Sequence, residues 1–334
     1  MRGIRNRRCD GVSWGAVLVA MLMGSMLTMP ARGDNWAGLT NNLVAFWSFD
    51  ETAGTFADSS TNGYDGTAYN ASSPWGKGAD GVIGGALDLD GSSDAVSAST
   101  NVGAFSVTDT FSVSFWVYLN SLEVGDFYSF LGQRVNSPGG ADNEGWSVRN
   151  ASSDDGNYRR LRFQWYSNDG SSSESAMALD TDWSQILQTN KWQHIVVIHG
   201  GSADLSSTEF YVDGETKAAS VNGSTLESDT VAENEDFVVG VRQTTENGFV
   251  DGKMDMVGVW DRALTSDEVT RLYNHGKGRV VPAPAPDLVR GLEAFWPFDE
   301  TSGSFADYSR NENTATMAAG TPWGNGGNGL IGGA

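Results

Sequence analysis

Two stretches of this chain gather side chains able to do chemistry. In Asp58-Ser-Ser-Thr-Asn-Gly-Tyr-Asp65, the residues Asp58, Asn62 and Asp65 share one short glycine-containing segment. Hard oxygen donors on a bending loop are what a calcium ion prefers. The same residue types stabilise a plain turn by bonding their own backbone, so both readings use identical atoms and stay open. The second stretch, Arg149 to Arg162, holds four arginines. Within Arg159-Arg-Leu-Arg-Phe-Gln-Trp-Tyr166, strand alternation sends Leu161, Phe163 and Trp165 one way and Arg160, Arg162, Gln164 and Tyr166 the other. Polar groups beside an aromatic ring on one face suit a sugar, and guanidinium forks suit a carboxylate or sulfate carried on it. Cross-strand pairing with the chain's many acidic residues would occupy the same arginines. Trp116 and Tyr118, on the less apolar face of another strand, are expected to continue the stripe.

The three histidines make no site by spacing. His194 and His199 are five residues apart, hence on opposite faces of one strand. His194 shares its face with Trp192, Val196 and Ile198 and reads as a core histidine, while His275 reads as a helix-end residue. There is no Gly-x-Ser-x-Gly and no phosphate loop, and the sole cysteine, Cys9, lies near the N-terminus.

That N-terminus reads as an export signal over residues 1–33. Arg2, Arg5, Arg7 and Arg8 precede an apolar run from Trp14 to Met29, and Ala31-Arg32-Gly33 supplies small residues for cleavage. The run has 16 residues, short of the ~20 a membrane span needs. Cleavage would remove Cys9, leaving a secreted or cell-surface protein with no disulfide and no membrane span. It would also remove five Arg and one Asp, taking the formal charge from −21 to −25. Such a surface repels nucleic acid and anionic membranes, and it also suits plain solubility.

The elements that must position these groups are strands. In Phe111-Ser-Val-Ser-Phe-Trp-Val-Tyr-Leu119 every odd position is apolar, the period of a strand with one buried face. Trp192–His199 is apolar on nearly both faces and reads as a central strand. Glu209–Glu215 turns at Asp213-Gly214, and Phe237–Val241 and Gly252–Trp260 are further strands. Thr265-Ser-Asp-Glu268 is a capping box that opens one short helix, with Gly276 as its expected stop. Together these predict an all-β sandwich with one short C-terminal helix.

The chain also opens the same unit twice. Ala45-Phe-Trp-Ser-Phe-Asp-Glu-Thr-Ala-Gly-Thr-Phe-Ala-Asp58 returns, 249 residues later, as Ala294-Phe-Trp-Pro-Phe-Asp-Glu-Thr-Ser-Gly-Ser-Phe-Ala-Asp307. Pro74-Trp-Gly76 and Ile83-Gly-Gly-Ala86 return at 322–324 and 331–334. Asp307 and Asn311 stand where Asp58 and Asn62 do, but Asp65 becomes Thr314. The expected layout is a complete unit at 43–276, a Pro/Ala linker at 277–291, and the incomplete opening of a second copy at 292–334.

Five segments, in order, resemble the LamG-like, pentraxin-like jelly rolls of the concanavalin A-like lectin/glucanase superfamily. They are Ala45–Glu51 with Asp58–Gly63, then Gly85–Gly91, then Phe111–Trp116, then Trp192–Val197 with Tyr211–Gly214, and last Gly252–Asp255 running into Val259–Leu264. The resemblance implies a two-sheet antiparallel jelly roll whose concave face takes sugars and whose members often hold Ca²⁺. The family pattern has two adjacent aspartates after Gly-Lys-Ile; here the first is Asp255, a candidate calcium ligand, and the second is Met256. Glucanases of the superfamily carry Glu-x-Asp-x-x-Glu on a strand, because alternate residues put two carboxylates either side of one glycosidic bond. The nearest match, Glu227-Ser-Asp-Thr-Val-Ala-Glu233, is one residue too long and sits among loop formers. The expected function is therefore a non-catalytic recognition module of a larger secreted or cell-surface bacterial protein. It would bind a glycan or cell-surface polysaccharide with Ca²⁺ support and work beside other domains of the same chain. A structural or adhesion spacer that binds protein, and a glycoside hydrolase or its targeting module, are the alternatives.

Overall fold

Alternating apolar residues need two surfaces to bury against, and here two stacked sheets provide them. A computed structural model describes residues 38–69, 81–123, 126–135, 144–151, 159–167, 175–181, 186–223, 234–242, 248–279, 281, 304–305 and 315–316. With strands numbered in chain order, the first sheet runs β1 (Leu43–Trp47), β15 (Asp251–Trp260), β5 (Thr110–Leu119), β10 (Trp192–Gly200), β11 (Thr208–Val212), β12 (Glu215–Lys217). β3 (Leu87–Asp90) pairs with the first half of β15 and makes this sheet seven-stranded. The second sheet has eight strands in the order β13 (Ala219–Gly223), β9 (Ser175–Thr181), β8 (Leu161–Ser167), β7 (Gly145–Asn150), β6 (Ser129–Arg134), β14 (Phe237–Val239), β4 (Val96–Ala98), β2 (Thr67–Ala68). The chain is thus mostly β, two antiparallel sheets and one short helix, consistent with a jelly-roll sandwich.

The main core lies between the sheets. Phe111, Val113, Phe115, Val117 and Leu119 of β5 meet Trp146 and Val148 of β7 and Leu161, Phe163 and Trp165 of β8. The rings of Phe105 and Phe111 stack at 4.4 Å, and Phe111 meets Trp146 at 4.8 Å. Aromatic pairs at such distances add to simple area burial. β10 sits between β5 and β11, as its two apolar faces predict. The turn at Asp213-Gly214 joins β11 to β12 with both residues at positive φ, +54° and +80°. That is the mirror-image turn whose twist matches a hairpin.

A second apolar cluster covers the other side of the seven-stranded sheet. Helix α1 (Ser266–Tyr273) presses Val269 and Leu272 onto Trp116, Val196, Ile198 and Trp260. The capping box forms as expected: Thr265 accepts from the Glu268 backbone, and the Glu268 side chain accepts from Thr265. Glu268 also takes two 2.8 Å bonds from Arg262. Burial works to raise its carboxyl, but those Arg262 bonds, the Thr265 backbone and the Arg262 charge hold it below its ordinary range. The helix ends two residues before the expected stop, at Asn274, which adopts the left-handed conformation at φ +46° and donates back to Thr270.

Residues 1–33, most of the linker and most of the second copy lie outside the described residues. One piece of the second copy is described. β16 (Ser304–Phe305) pairs with β17 (Ala315–Thr316), bringing Phe305 opposite Ala315. Phe56 and Gly66, 249 residues earlier, make the same bridge in the first copy.

The cap is open to a stability test. Thr265→Ala should lower the unfolding free energy by about 1 kcal/mol. Glu268→Ala, which removes its cap bond and both bonds from Arg262 while leaving Arg262 its carbonyl acceptors on Gly38, Asn41 and Ala263, should cost about 2 kcal/mol. Urea denaturation checks both; equal small losses would show that the ion pair adds nothing to the cap.

Candidate functional site

The outward side of the eight-stranded sheet collects cations. Inward positions of β7 and β8 are filled by the core, so the intervening residues Ser147, Arg149, Arg162, Gln164 and Tyr166 face outward, as alternation predicts. Arg160 lies just before β8 and is half-buried, as is Arg162. Arg162 stands between Arg149 on one side and Asp180 on the other in the strand ladder. Two like charges face to face cost energy unless something spreads them. Gln164 does so: its Oε1 accepts from Arg149 Nε at 2.8 Å and Nη2 at 2.5 Å, while Arg149 Nη1 bonds the Asn150 carbonyl.

Three contributors to this face lie outside the stretch that the sequence pointed to. Arg134 of β6 lies 3.5 Å over the Tyr166 ring. It reaches across β7 because its ladder neighbour there, which is also Tyr166's, is Gly145, with no side chain to block the way. Phe127 meets Arg149 at 4.7 Å and Arg242 at 5.1 Å. Cation–π contacts of this kind hold guanidinium groups in place without neutralising them. Tyr166 and Gln164 are only 6% and 7% exposed. Arg134 and Arg149 are buried as well, at 3% and 5% exposed, so the guanidinium groups this face opens to solvent are those of half-buried Arg160 and Arg162 rather than the flat ring surface expected of it.

Trp116 and Tyr118 do not continue this stripe. They belong to β5 of the other sheet, whose outward side lies under α1. Trp116 is 2% exposed, stacked on Tyr273 at 5.8 Å and packed on His194 at 5.0 Å. Tyr118 meets Trp192 and Lys253 instead.

The Asp58 loop is a turn whose acceptors are already used. Asp58 Oδ1 takes the Phe46 and Ser60 backbone N–H groups, and Oδ2 takes the Ser60 hydroxyl at 2.6 Å and the Tyr64 N–H at 2.9 Å. Asn62 donates its amide to the carbonyls of Leu43 and Val44. Asp65 accepts from the Asp58 N–H and lines an open groove of about 390 Å³ with Tyr64, Ser97 and Asp236. With every Asp58 lone pair engaged, this loop does not fit a calcium ion.

Asp255 differs. It sits where the β5–β15 register breaks between Asp255 and Gly258, next to Met256 at φ +46°. A bulge of this kind re-aims side chains. The carboxyl is fully buried; Oδ2 accepts from Val82 and Ile83, and Oδ1 has no hydrogen-bond partner among the described residues. Burial, with the nearby Asp50 charge adding to it, pushes the group up to about 7 against the pull of its backbone donors. Asp50 in turn accepts from Gly85 at 2.7 Å. A Cβ on Gly84 (φ +71°) would fall 2.0 Å from Asp50 Oδ1, which explains the Gly-Gly pair. Asp255 with Asp50 fits a hard cation by this orphaned oxygen. Among the described residues no three Asp, Glu, His or Cys side chains form a metal cluster, so further ligands would be backbone carbonyls and water. The carboxylates Glu227, Asp229 and Glu233 lie outside the described residues.

The family model of the concanavalin A-like lectin/glucanases superfamily matches residues 90–270, more than half of the chain. The chain belongs to that superfamily. No curated protein matches it. Among solved structures, the binding domain of Paraclostridial Mosquitocidal Protein 1 is 19% identical, with a TM-score of 0.51 over 71% of this chain and 52% of that one. The botulinum neurotoxin serotype D binding domain is 14% identical, with a TM-score of 0.47 over 72% and 53%. This chain thus spans about half the length of those toxin domains. Domain 4 of an extracellular arabinanase of Geobacillus stearothermophilus, solved with arabinotriose, is 22% identical, with a TM-score of 0.46 over 71% and 98%. At such identities the likeness is one of fold.

Within this superfamily fold a serine–histidine contact also appears. Ser114 Oγ lies 2.8 Å from His194 Nε2. Both residues are at most 2% exposed, and among the described residues His194 Nδ1 has no partner and no acid orients the ring. The pair is a buried polar contact beneath α1 rather than a nucleophile and base. Burial lowers His194 from 6.5 to about 3. Between those values the unfolded chain binds a proton that the folded one does not, so His194 removes stability as pH falls from 6.5 towards 3. His194→Gln should flatten the acid limb of the urea midpoint against pH. An unchanged limb would assign acid sensitivity to other groups.

Proposed function

We propose that this chain is a non-catalytic recognition module that binds carbohydrate on the outward side of β6, β7 and β8. One observation carries the reading. On a chain of formal charge −21, these three neighbouring strands hold three arginines and neither Asp nor Glu. Arg149 pins Gln164, and Arg134 lies on Tyr166, so donors are held in fixed positions. Preset donors suit sugar hydroxyl and acidic oxygens, because ordering them costs little on binding. A hydrolase would need two carboxylates flanking the bond, and β6–β8 carry none. The solved relatives include toxin binding domains and an arabinanase domain holding arabinotriose, and the reading is in keeping with them. Secretion or display at the cell surface goes with the export signal read at residues 1–33; among the described residues no helix is long and apolar enough to cross a membrane.

A calcium ion at Asp255 and Asp50 belongs to the same reading. When bound, it would supply charge that neutralises both carboxylates and tie β15 to the Gly81–Gly85 loop. It would act on stability rather than on the sugar.

Affinity electrophoresis against a panel of polysaccharides tests the binding. Arg149→Ala should weaken retention about 10-fold, and reducing ends should not accumulate. Retention unaltered by Arg149→Ala would remove the proposed face from the reading. For calcium, adding it after EDTA should raise the melting temperature of the native chain at pH 8 and leave Asp255→Asn unmoved. Equal shifts in both, or none in either, would mean that Asp255 is not a ligand.

A further inference from the structure

Between β6, β7 and β14 the outward face closes into a small pocket. Gly132 and Ser147, neighbours in the β6–β7 ladder, line it with Arg134, Arg242, Val238 and Val241. Among the described residues two donors there have no acceptor: the Ser147 hydroxyl, on a residue 3% exposed, and Arg242 Nε. Folded proteins seldom leave buried donors dry, because each has given up a bond to water. The free space is about 10 Å³, roughly that of a single oxygen atom. Glycine at 132 lets β6 and β7 approach here, since a Cβ would come within 2.4 Å of the Trp146 carbonyl and 2.7 Å of Ser147 Cα. Among the described residues none that lines the pocket is acidic, and two are arginines. Arg134 and Arg242 are each held by an aromatic ring, Tyr166 and Phe127. Rings of this kind fix the direction of a guanidinium.

We propose that the pocket formed by Arg134, Ser147 and Arg242 is a subsite for one oxygen of an oxyanion carried on the glycan, a sulfate ester or a uronate carboxylate. This rests on the carbohydrate reading above and narrows it to acidic polysaccharides. An anionic oxygen has lone pairs enough for both orphan donors and meets two guanidinium charges. The rest of the sugar stays outside, over Gln164 and Arg162.

The test compares the native chain with Arg242→Gln, Ser147→Ala and a control, Lys217→Gln on the other sheet. The probes are a sulfated galactan, the same galactan after desulfation, and a polygalacturonate. Retention is measured by affinity electrophoresis, with melting temperatures to confirm folding. The native chain should hold one acidic polymer at least 10-fold more tightly than the desulfated galactan, and the polymer preferred tells sulfate from carboxylate. Arg242→Gln should lose about 10-fold, and Ser147→Ala about 3-fold, on that polymer alone. Lys217→Gln should lose nothing. Equal binding of charged and neutral galactan, untouched by Arg242→Gln, would overturn the subsite while leaving the carbohydrate reading intact. Equal losses for Arg242→Gln and Lys217→Gln would also overturn it, as diffuse charge attraction. If the native chain holds none of the three polymers, the carbohydrate reading fails first and the subsite with it.

Discussion

Burial of the seven-stranded sheet on both sides is the constraint that organises this protein. One side meets the other sheet, and the second is closed by α1 and the segment leading into it. Polar groups on that closed side must therefore find partners inside the protein. Ser112 accepts from Leu264 and donates to Arg262, Ser114 meets His194, and Trp260 donates to Leu39. The capping box and the Arg262–Glu268 pair hold the cover in place. With this side sealed, the outward side of the eight-stranded sheet is the one on which the arginines Arg134, Arg149 and Arg162 gather.

The same constraint explains what was legible beforehand. Alternation identifies β5 and β8 and their inward residues, because the inward faces of these two strands are apolar. β10 is read from its two apolar faces, and its inward side also carries Gln193 and His199, the latter packed on Phe111, Phe163 and Trp165. Alternation misplaced Trp116 and Tyr118 because Ser112 and Ser114 make the outer face of β5 look wet. Those serines are buried and bonded to the cover. The capping box already announced a helix with an apolar face, and that face had to land on some sheet. The arginine face was half legible. Arg149, Arg162, Gln164 and Tyr166 lie on two strands near in sequence, whereas Arg134, Phe127 and Arg242 join them through register alone. Their sign in the sequence was Gly145, whose missing side chain lets Arg134 reach Tyr166. Asp255 was legible as a residue of interest, but its burial arises from a register break that no spacing predicts.

The internal repeat separates structural from dispensable residues in the opening segment. Asp58 and Asn62, which tie the loop to Phe46, Leu43 and Val44, recur as Asp307 and Asn311. Asp50, Gly84 and Gly85, which meet one another, recur as Asp299, Gly332 and Gly333. Asp65 becomes Thr314. Its task in the first copy is to accept one backbone N–H from Asp58, and a hydroxyl can accept that bond as well as a carboxylate. A divalent ion would lose a charged ligand in the same exchange. The pattern of change is that of a turn, and it leaves Asp255 with Asp50 as the acidic pair in search of a counter-charge.

For an acidic protein, the proposed recognition of an acidic polymer raises a problem of range. At −21 the chain as a whole repels anions. At physiological ionic strength that repulsion dies away over about 8 Å, so its cost falls mainly on the rate of approach. Contact energy is set by the few groups within reach of the ligand oxygen. There the balance reverses: β6, β7 and β8 carry no acidic residue, and their guanidinium groups are anchored by Tyr166, Phe127 and Gln164. Bonds from charged donors at short range are roughly twice as strong as neutral ones, and they are indifferent to charge beyond the screening length. On the proposed reading, the general acidity would repel anions that fit nowhere, and the arginine face would retain the one whose oxygen reaches the pocket. Net charge thus says little about the ligand of this fold; the local sign on one sheet face says more.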